Sequence, residues 1–339
     1  MNIKFVKLQG AGNDYLYLDA INDLPRCVSD DADFYNKLAV KISDRHFGVG
    51  SDGIIIILPP SQKGLTDAGQ HTTSKLNFDN NDIALNNTAI KADFRMRMFN
   101  ADGSEGEMCG NGIRCFAKYV YDRHLTDKKI INIETLAGIK TVEVFLSDVT
   151  GTVKEAKVFM GFPEFKTEKV PANFGKPEII NEKINAGGRD FEISCVSMGN
   201  PHCAIFIEDV KNFDVRRYGS IIENNKMFPK RINVEFVQVI DDKNVFVRTW
   251  ERGSGETLAC GTGACAVYSV MRKTGKIKQN GLNVNLYGGT LKISGERFNA
   301  QRSEQRFNAQ RSEQLNEGVY MVGPAEEVFT GYFNFNYKI

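Results

Sequence analysis

The sequence predicts an α+β protein of two pseudo-symmetric domains, each a strand-rich, barrel-like sheet around one central helix. Three observations lead there. The segments Met108-Cys109-Gly110-Asn111-Gly112-Ile113-Arg114-Cys115 and Ala259-Cys260-Gly261-Thr262-Gly263-Ala264-Cys265-Ala266 are near-copies, each setting a cysteine before Gly-X-Gly. Two further blocks recur upstream of each copy in the same order. Leu8-Gln9-Gly10-Ala11-Gly12-Asn13 running into Asp19 matches Val196-Ser197-Met198-Gly199-Asn200 running into Asp209, and Gly103-Ser104-Glu105-Gly106 matches Gly253-Ser254-Gly255-Glu256. Ordered blocks of this kind imply duplicated halves. Finally, 339 residues are long for one core and ample for two domains.

Taken in chain order, alternating or apolar runs predict strands at Lys4 to Leu8, Tyr15 to Asp19, Ile54 to Leu58, Phe94 to Phe99, Ile131 to Glu134, Lys140 to Leu146 and Thr152 to Met160 in the first half. Further along they are predicted at Ile205 to Glu208, Val234 to Ile240, Val245 to Trp250, Val284 to Leu286, Thr290 to Ser294 and Gly318 to Val322, and at Glu327 to Tyr332 near the end of the chain. Helices are predicted at Ala32 to Asp44, Gly112 to Arg123, Phe213 to Asn224 and Gly263 to Thr274. Those after the cysteines carry apolar residues at Ile113, Phe116, Ala117 and Val120, and at Ala264, Val267, Val270 and Met271, so each buries at least one face. The halves divide into 1–158 plus 324–339, carrying Cys109, and 159–323, carrying Cys260. The first half has about 36 more residues between matching landmarks. An Asn-rich excursion at 61–91 holds that surplus, and it is read as a surface insertion without a catalytic role. A perfect nine-residue tandem, Arg297 to Gln305 repeated as Arg306 to Gln314, is read as an insertion at the tip of a hairpin.

Charge and composition exclude several functions. Lys plus Arg number 43 and Asp plus Glu 42, with no block of one sign, so no nucleic acid partner is expected. The N-terminal residues lack a signal-peptide core, and the longest aliphatic run, Ile54 to Leu58, is too short to cross a bilayer. A cytoplasmic protein without a membrane partner is expected. Seven cysteines, an odd number, argue for thiols rather than a disulfide framework. Cys27, Cys115, Cys195, Cys203 and Cys265 are read as structural.

The duplicated cysteines carry the chemistry. A cysteine at a helix N-terminus feels the positive end of the helix dipole, which favours thiolate over thiol. Inverting a carbon stereocentre by proton transfer needs a base on one face and an acid on the other, and two such thiols supply both. The N–H groups of Gly110-Asn111-Gly112 and Gly261-Thr262-Gly263 suit a substrate carboxylate and the negative charge that develops on it. Zinc binding is a separate reading of the same cysteines with His202, but no Cys-X-X-Cys occurs. A Cys-His thiol hydrolase using His202 leaves the second cysteine motif unexplained.

Gly12-Asn13-Asp14, Phe99-Asn100-Ala101-Asp102-Gly103-Ser104, Met108-Cys109-Gly110-Asn111-Gly112, Ser197-Met198-Gly199-Asn200-Pro201-His202, Glu251-Arg252-Gly253 and Glu256-Thr257 with Ala259-Cys260-Gly261-Thr262-Gly263 stand in this order along nearly the whole chain. With these blocks the sequence resembles the diaminopimelate epimerase family. The resemblance implies a cofactor-independent epimerase, with no metal, pyridoxal phosphate or nicotinamide, that interconverts LL- and meso-diaminopimelate in lysine and cell-wall precursor synthesis. It implies Cys109 and Cys260 as the catalytic pair, and His202 and Glu251 as modulators of their pKa values. It also implies substrate contacts from Asn13, Asn100, Gly110, Asn111, Asn200, Asn233, Glu251, Arg252, Gly261 and Thr262. Amides that donate to carboxylate and accept from ammonium, with Arg252 forking onto a distal carboxylate, suit a substrate with two of each group. A proline or hydroxyproline racemase resembles the same thiol pair but needs no distal site, for which Arg252, Asn100 and Asn233 speak. Gly53 stands where some members have a substrate-contacting Gln. A homodimer formed through the terminal strands is a further implication.

Overall fold

The computed structural model describes residues 1–25, 28, 31–61, 91–297 and 317–337. Cys27, residues 62–90 of the excursion and 298–314 of the tandem lie outside them. The described chain forms β1 (Asn2–Gly10), β2 (Asn13–Asp19), α1 (Ala32–Ile42), β3 (Gly53–Leu58), β4 (Phe94–Asn100), β5 (Glu105–Gly106), α2 (Gly110–Asp122), β6 (Ile130–Thr135), β7 (Gly138–Leu146) and β8 (Val153–Gly161). It continues through β9 (Glu182–Ala186), β10 (Arg189–Ser197), β11 (Pro201–Phe206), α3 (Val215–Glu223), β12 (Asn233–Val239), β13 (Asn244–Glu251), β14 (Gly255–Thr257), α4 (Gly261–Lys273), β15 (Leu282–Leu286), β16 (Gly289–Arg297), β17 (Glu317–Pro324) and β18 (Glu326–Asn334). This is the expected strand-rich α+β fold of two domains.

The duplication extends to the pairing pattern. β2 and β3 run parallel, with α1 between them in sequence; β11 and β12 do the same around α3. β4 pairs antiparallel with β3 and parallel with β6, just as β13 pairs with β12 and β15. The two arrays join where β8 pairs antiparallel with β17. β18 then returns to β1, pairing from Asn2 opposite Asn334 to Gln9 opposite Glu326. The turns entering β2 and β11 each place a glycine at positive φ, Gly12 at 83° and Gly199 at 97°, where a side chain would be strained.

Burial follows the amphipathic patterns. α2 and α4 share one apolar core with the inward faces of the strands: Ile113, Phe116 and Val120 from one helix and Val267, Val270 and Met271 from the other are fully buried. α1 and α3 cover the opposite sheet faces in separate clusters. α1 starts where the Asp31 carboxylate accepts from the Phe34 N–H at 3.1 Å. β9 and β10, joined through Gly187-Gly188, are additional to the sequence expectation, which placed no strand between Met160 and Ile205. Exposed Asp190 and Glu192 alternate with buried Phe191 and Ile193, a half-buried strand pattern only four residues long before Ser194 to Ser197 bury on both faces.

Candidate active site

Both duplicated cysteines are helix N-caps. Cys109 has φ −126° and ψ 123°, Cys260 φ −126° and ψ 114°, and each sulfur accepts from the N–H three residues on, Gly112 or Gly263, at 3.4 Å. α2 and α4 therefore begin two residues before their predicted starts, because the cysteine itself caps and the glycine after it is already helical. Neither first turn carries an acidic residue to offset the exposed N–H groups. The two N-termini lie side by side across Met321 of β17. A Cβ built on Gly110 would stand 3.0 Å from Met321 Cε, and one on Gly261 3.1 Å from its Sδ. Asn111, 3% exposed, aims Oδ1 between the helices with no hydrogen-bond partner, 3.8 Å from the Cβ position of Gly261.

Around Cys109, Asn13 Oδ1 lies 3.3 Å from the sulfur, while Asn13 Nδ2 donates to Asp52 at 2.6 Å. Burial pushes the Cys109 thiol up; the Gly112 and Asn111 N–H groups and Arg114 pull against it, and Glu251 adds to the rise. Around Cys260 the balance is harsher. Burial, then the carboxylates of Glu251 and Glu235, push this thiol well above its ordinary value, outweighing Thr262 and the Gly263 N–H. Glu251 is raised by its own burial, although Thr257 Oγ1 donates to it at 2.6 Å.

A buried hydrogen-bond chain backs Cys260. His202 and Glu235 are both 0% exposed, with Nδ1 2.7 Å from Oε1. His202 Nε2 lies 3.0 Å from Asn200 Oδ1, Asn200 Nδ2 donates to Thr262 Oγ1 at 3.3 Å, and that hydroxyl is 3.4 Å from the Cys260 sulfur. The duplication shows what differs in the other half. Register places Tyr15 where His202 stands and Ile55 where Glu235 stands. A Cβ on Gly112 would meet Ile55 Cδ1 at 2.6 Å, whereas one on Gly263 would meet Glu235 Oε1 at 2.7 Å. Sequence reasoning missed Glu235. The one signal for it is a carboxylate inside the apolar run Val234 to Val237.

The structure does not bring the remaining expected residues together: Asn233 and Arg252 adjoin each other, and Asn100 makes separate contacts. Asn233 spends both ends of its amide internally, Nδ2 donating to Pro201 O at 2.8 Å and Oδ1 accepting from the Arg252 N–H at 2.9 Å. The Arg252 side chain is exposed and donates to Lys230 O at 3.0 Å. Asn100 Nδ2 donates to Ser104 Oγ at 3.0 Å. At Gly53 a Cβ would fall 2.2 Å from the Phe99 carbonyl oxygen, so this backbone path admits no larger side chain. Among the described residues, no three His, Cys, Asp or Glu side chains group as metal ligands.

Solved structures share this architecture. A probable proline racemase from Agrobacterium radiobacter superposes with a TM-score of 0.64 at 11% identity, covering 98% of this chain and 93% of the other. A hydroxyproline epimerase from Agrobacterium vitis gives 0.61 at 12% identity, covering 98% and 92%. The protein is thus built on the two-domain α+β fold that these structures share. Sequence narrows the class. The diaminopimelate epimerase family profile matches residues 5–165 and 194–306. A diaminopimelate epimerase of Methanococcus maripaludis is 43% identical over 329 residues, 97% of this chain and 99% of its own, and one of Acetivibrio thermocellus is 40% identical over 334 residues, 98% and 99%. The chain belongs to the diaminopimelate epimerase family. No helix among the described residues is long and apolar enough to cross a membrane.

Proposed function

We propose that the protein interconverts LL- and meso-diaminopimelate by two-base proton transfer between Cys109 and Cys260, serving lysine and cell-wall precursor synthesis. The observation that carries this reading is the pair of cysteine-capped helix N-termini meeting across Met321. One cysteine, as thiolate, removes the proton from the substrate α-carbon. The electron pair of the broken C–H bond moves into the adjacent carboxylate, whose growing charge faces the first-turn N–H groups of both helices. The other cysteine, as thiol, returns a proton to the opposite face. The two sulfurs thereby exchange states, and the reverse reaction starts from the exchanged form. Glu251 and His202 modulate the thiols, Glu251 directly and His202 through Asn200 and Thr262. Asn13, Asn111 and Asn200 serve the reacting amino-acid centre, and Asn100, Asn233 and Arg252 the distal one.

The catalytic halves of this reading are 1–158 plus 324–339 and 159–323, closing on the substrate from two sides. Both thiols must be reduced, which fits a cytoplasmic setting. β18 offers a dimer contact: Val328, Phe329 and Tyr332 expose 54%, 44% and 65% of their surfaces on one outer strand. The test is deuterium uptake at the α-carbon of LL-diaminopimelate in heavy water, with proline as a parallel substrate. Cys109→Ala and Cys260→Ala should each abolish epimerisation with the circular dichroism spectrum unchanged. Full turnover by either variant, or turnover of proline alone, overturns the reading.

A further inference from the structure

Arg114 lies in α2, five residues after Cys109, and is 0% exposed. A buried guanidinium stays protonated and ordinarily sits against a carboxylate. The other buried cation of the helix does so: Lys118 pairs with Asp122 at 2.7 Å. Among the described residues Arg114 has no such partner. It donates from Nη1 to the Gly110 carbonyl at 3.1 Å and from Nε to the Pro324 carbonyl at 3.3 Å, touches Met321 Sδ at 3.6 Å, and leaves Nη2 without an acceptor. Its seat is built by omission. A Cβ on Gly10 would come within 3.1 Å of Nη2, and one on Gly323 within 3.0 Å of Cζ and Nε. In the duplicated half its position is held by Cys265, which is uncharged.

The titratable groups facing the guanidinium are Cys109, Cys115, Tyr17 and Cys265. Burial pushes Cys115 up to about 11 and carries Tyr17 and Cys265 far above their ordinary values, so these three stay neutral. Cys109 remains. It faces Tyr15 and Tyr17 from β2, Asp52 through Asn13, Glu251 from β13 and Arg114 from its own helix. The Gly110 carbonyl that Arg114 holds belongs to the same peptide unit as the Asn111 N–H, which lies in the first turn of α2 beside the Gly112 N–H and, like it, pulls the Cys109 thiol down. Drawing on the carbonyl polarises that N–H and strengthens its bond to an anion.

We propose that Arg114 is a positioning residue for Cys109, a built-in counter-charge that stabilises the thiolate through the Gly110–Asn111 peptide and gives the first half a buried cation near its cysteine, while the second half has a buried carboxylate, Glu235, near its own. This rests on Cys109 being one of the acid-base pair, but its test reads the thiol and not turnover. The full-length protein is alkylated with iodoacetamide across pH, and modification of Cys109 and Cys260 is followed separately by mass spectrometry. Arg114→Met should move the Cys109 profile up by about one pH unit, a tenfold loss of thiolate at neutral pH, and leave the Cys260 profile in place. Arg114→Lys, which keeps the charge, should restore most of the shift and serves alone if the Met variant does not fold, its profile then lying between wild type and that of a free thiol. An unmoved Cys109 profile in a folded Met variant, equal shifts at both cysteines, or a Lys variant with the profile of a free thiol overturns the proposal.

Discussion

The buried pair of His202 and Glu235 offers the sharpest perturbation. With both side chains 0% exposed and the Nδ1–Oε1 bond at 2.7 Å, removing one partner strands the other in a site that water does not reach. Glu235→Ala leaves the imidazole N–H unpaired and opens a cavity under the first turn of α4. The expected loss is about 3–5 kcal/mol of folding stability. Glu235→Gln keeps an oxygen for that N–H and replaces a charge-assisted bond by a neutral one, a loss of about 1–2 kcal/mol. The same contrast should appear in activity. Without Glu235 the ring is free to turn, and the contacts from His202 through Asn200 and Thr262 to Cys260 loosen together, so α-deuterium exchange should slow about tenfold or more in Glu235→Ala, a barrier change of about 1.4 kcal/mol, and far less in Glu235→Gln. Urea denaturation and exchange in heavy water read the two quantities. A Glu235→Ala protein with wild-type stability and exchange, or a Gln variant as damaged as the Ala variant, refutes the reasoning.

Two further outcomes follow from other sites. Burial alone would raise the Asp14 carboxyl, but Arg45 and Lys7, at 2.8 and 2.7 Å, outweigh it and hold the group below the ordinary carboxylate value. Its contribution to stability is complete above the unfolded carboxylate pKa and disappears as pH falls through the lowered folded value. Asp14→Asn should therefore cost about 1–3 kcal/mol at pH 7 and nothing in strong acid, read from urea midpoints at both pH values. For the dimer, sedimentation of wild type and Tyr332→Asp should give twice the chain mass and the single-chain mass respectively; a monomeric wild type rejects β18 as the contact.

Much of this molecule could be read from its residues because its repeat lies in blocks that fold. Cysteine before Gly-X-Gly predicts an N-cap, and Gly-Asn before an alternating run predicts a turn into a strand; the positive φ values at Gly12 and Gly199 are that signal in three dimensions. The helix pair was legible through Ile113, Phe116 and Val120, and through Val267 and Val270. Arg114 and Glu235 were not. Periodicity marks which face of an element turns inward, yet α2 is enclosed on nearly every side, so its charged residues Arg114 and Lys118 are buried too. Nothing local to Glu235 says that a glycine of a distant helix, Gly263, leaves room for its carboxylate. The asymmetry of the two thiols resides in the positions that differ between the halves, Tyr15 against His202 and Ile55 against Glu235.

The return of β18 to β1 has a consequence for biosynthesis. Ile3 and Phe5 are buried, and Phe5 packs edge-on against Phe329 at 5.7 Å, while the Met1 amine donates to the Phe335 carbonyl at 2.9 Å. The opening strand pairs with β2 directly, but more than three hundred residues must follow it on the ribosome before its second neighbour, β18, emerges. The first half therefore cannot mature ahead of the second, and nascent chains stalled before residue 326 should remain protease-sensitive in their first ten residues, whereas resistant ones would show that β1 finds shelter without β18.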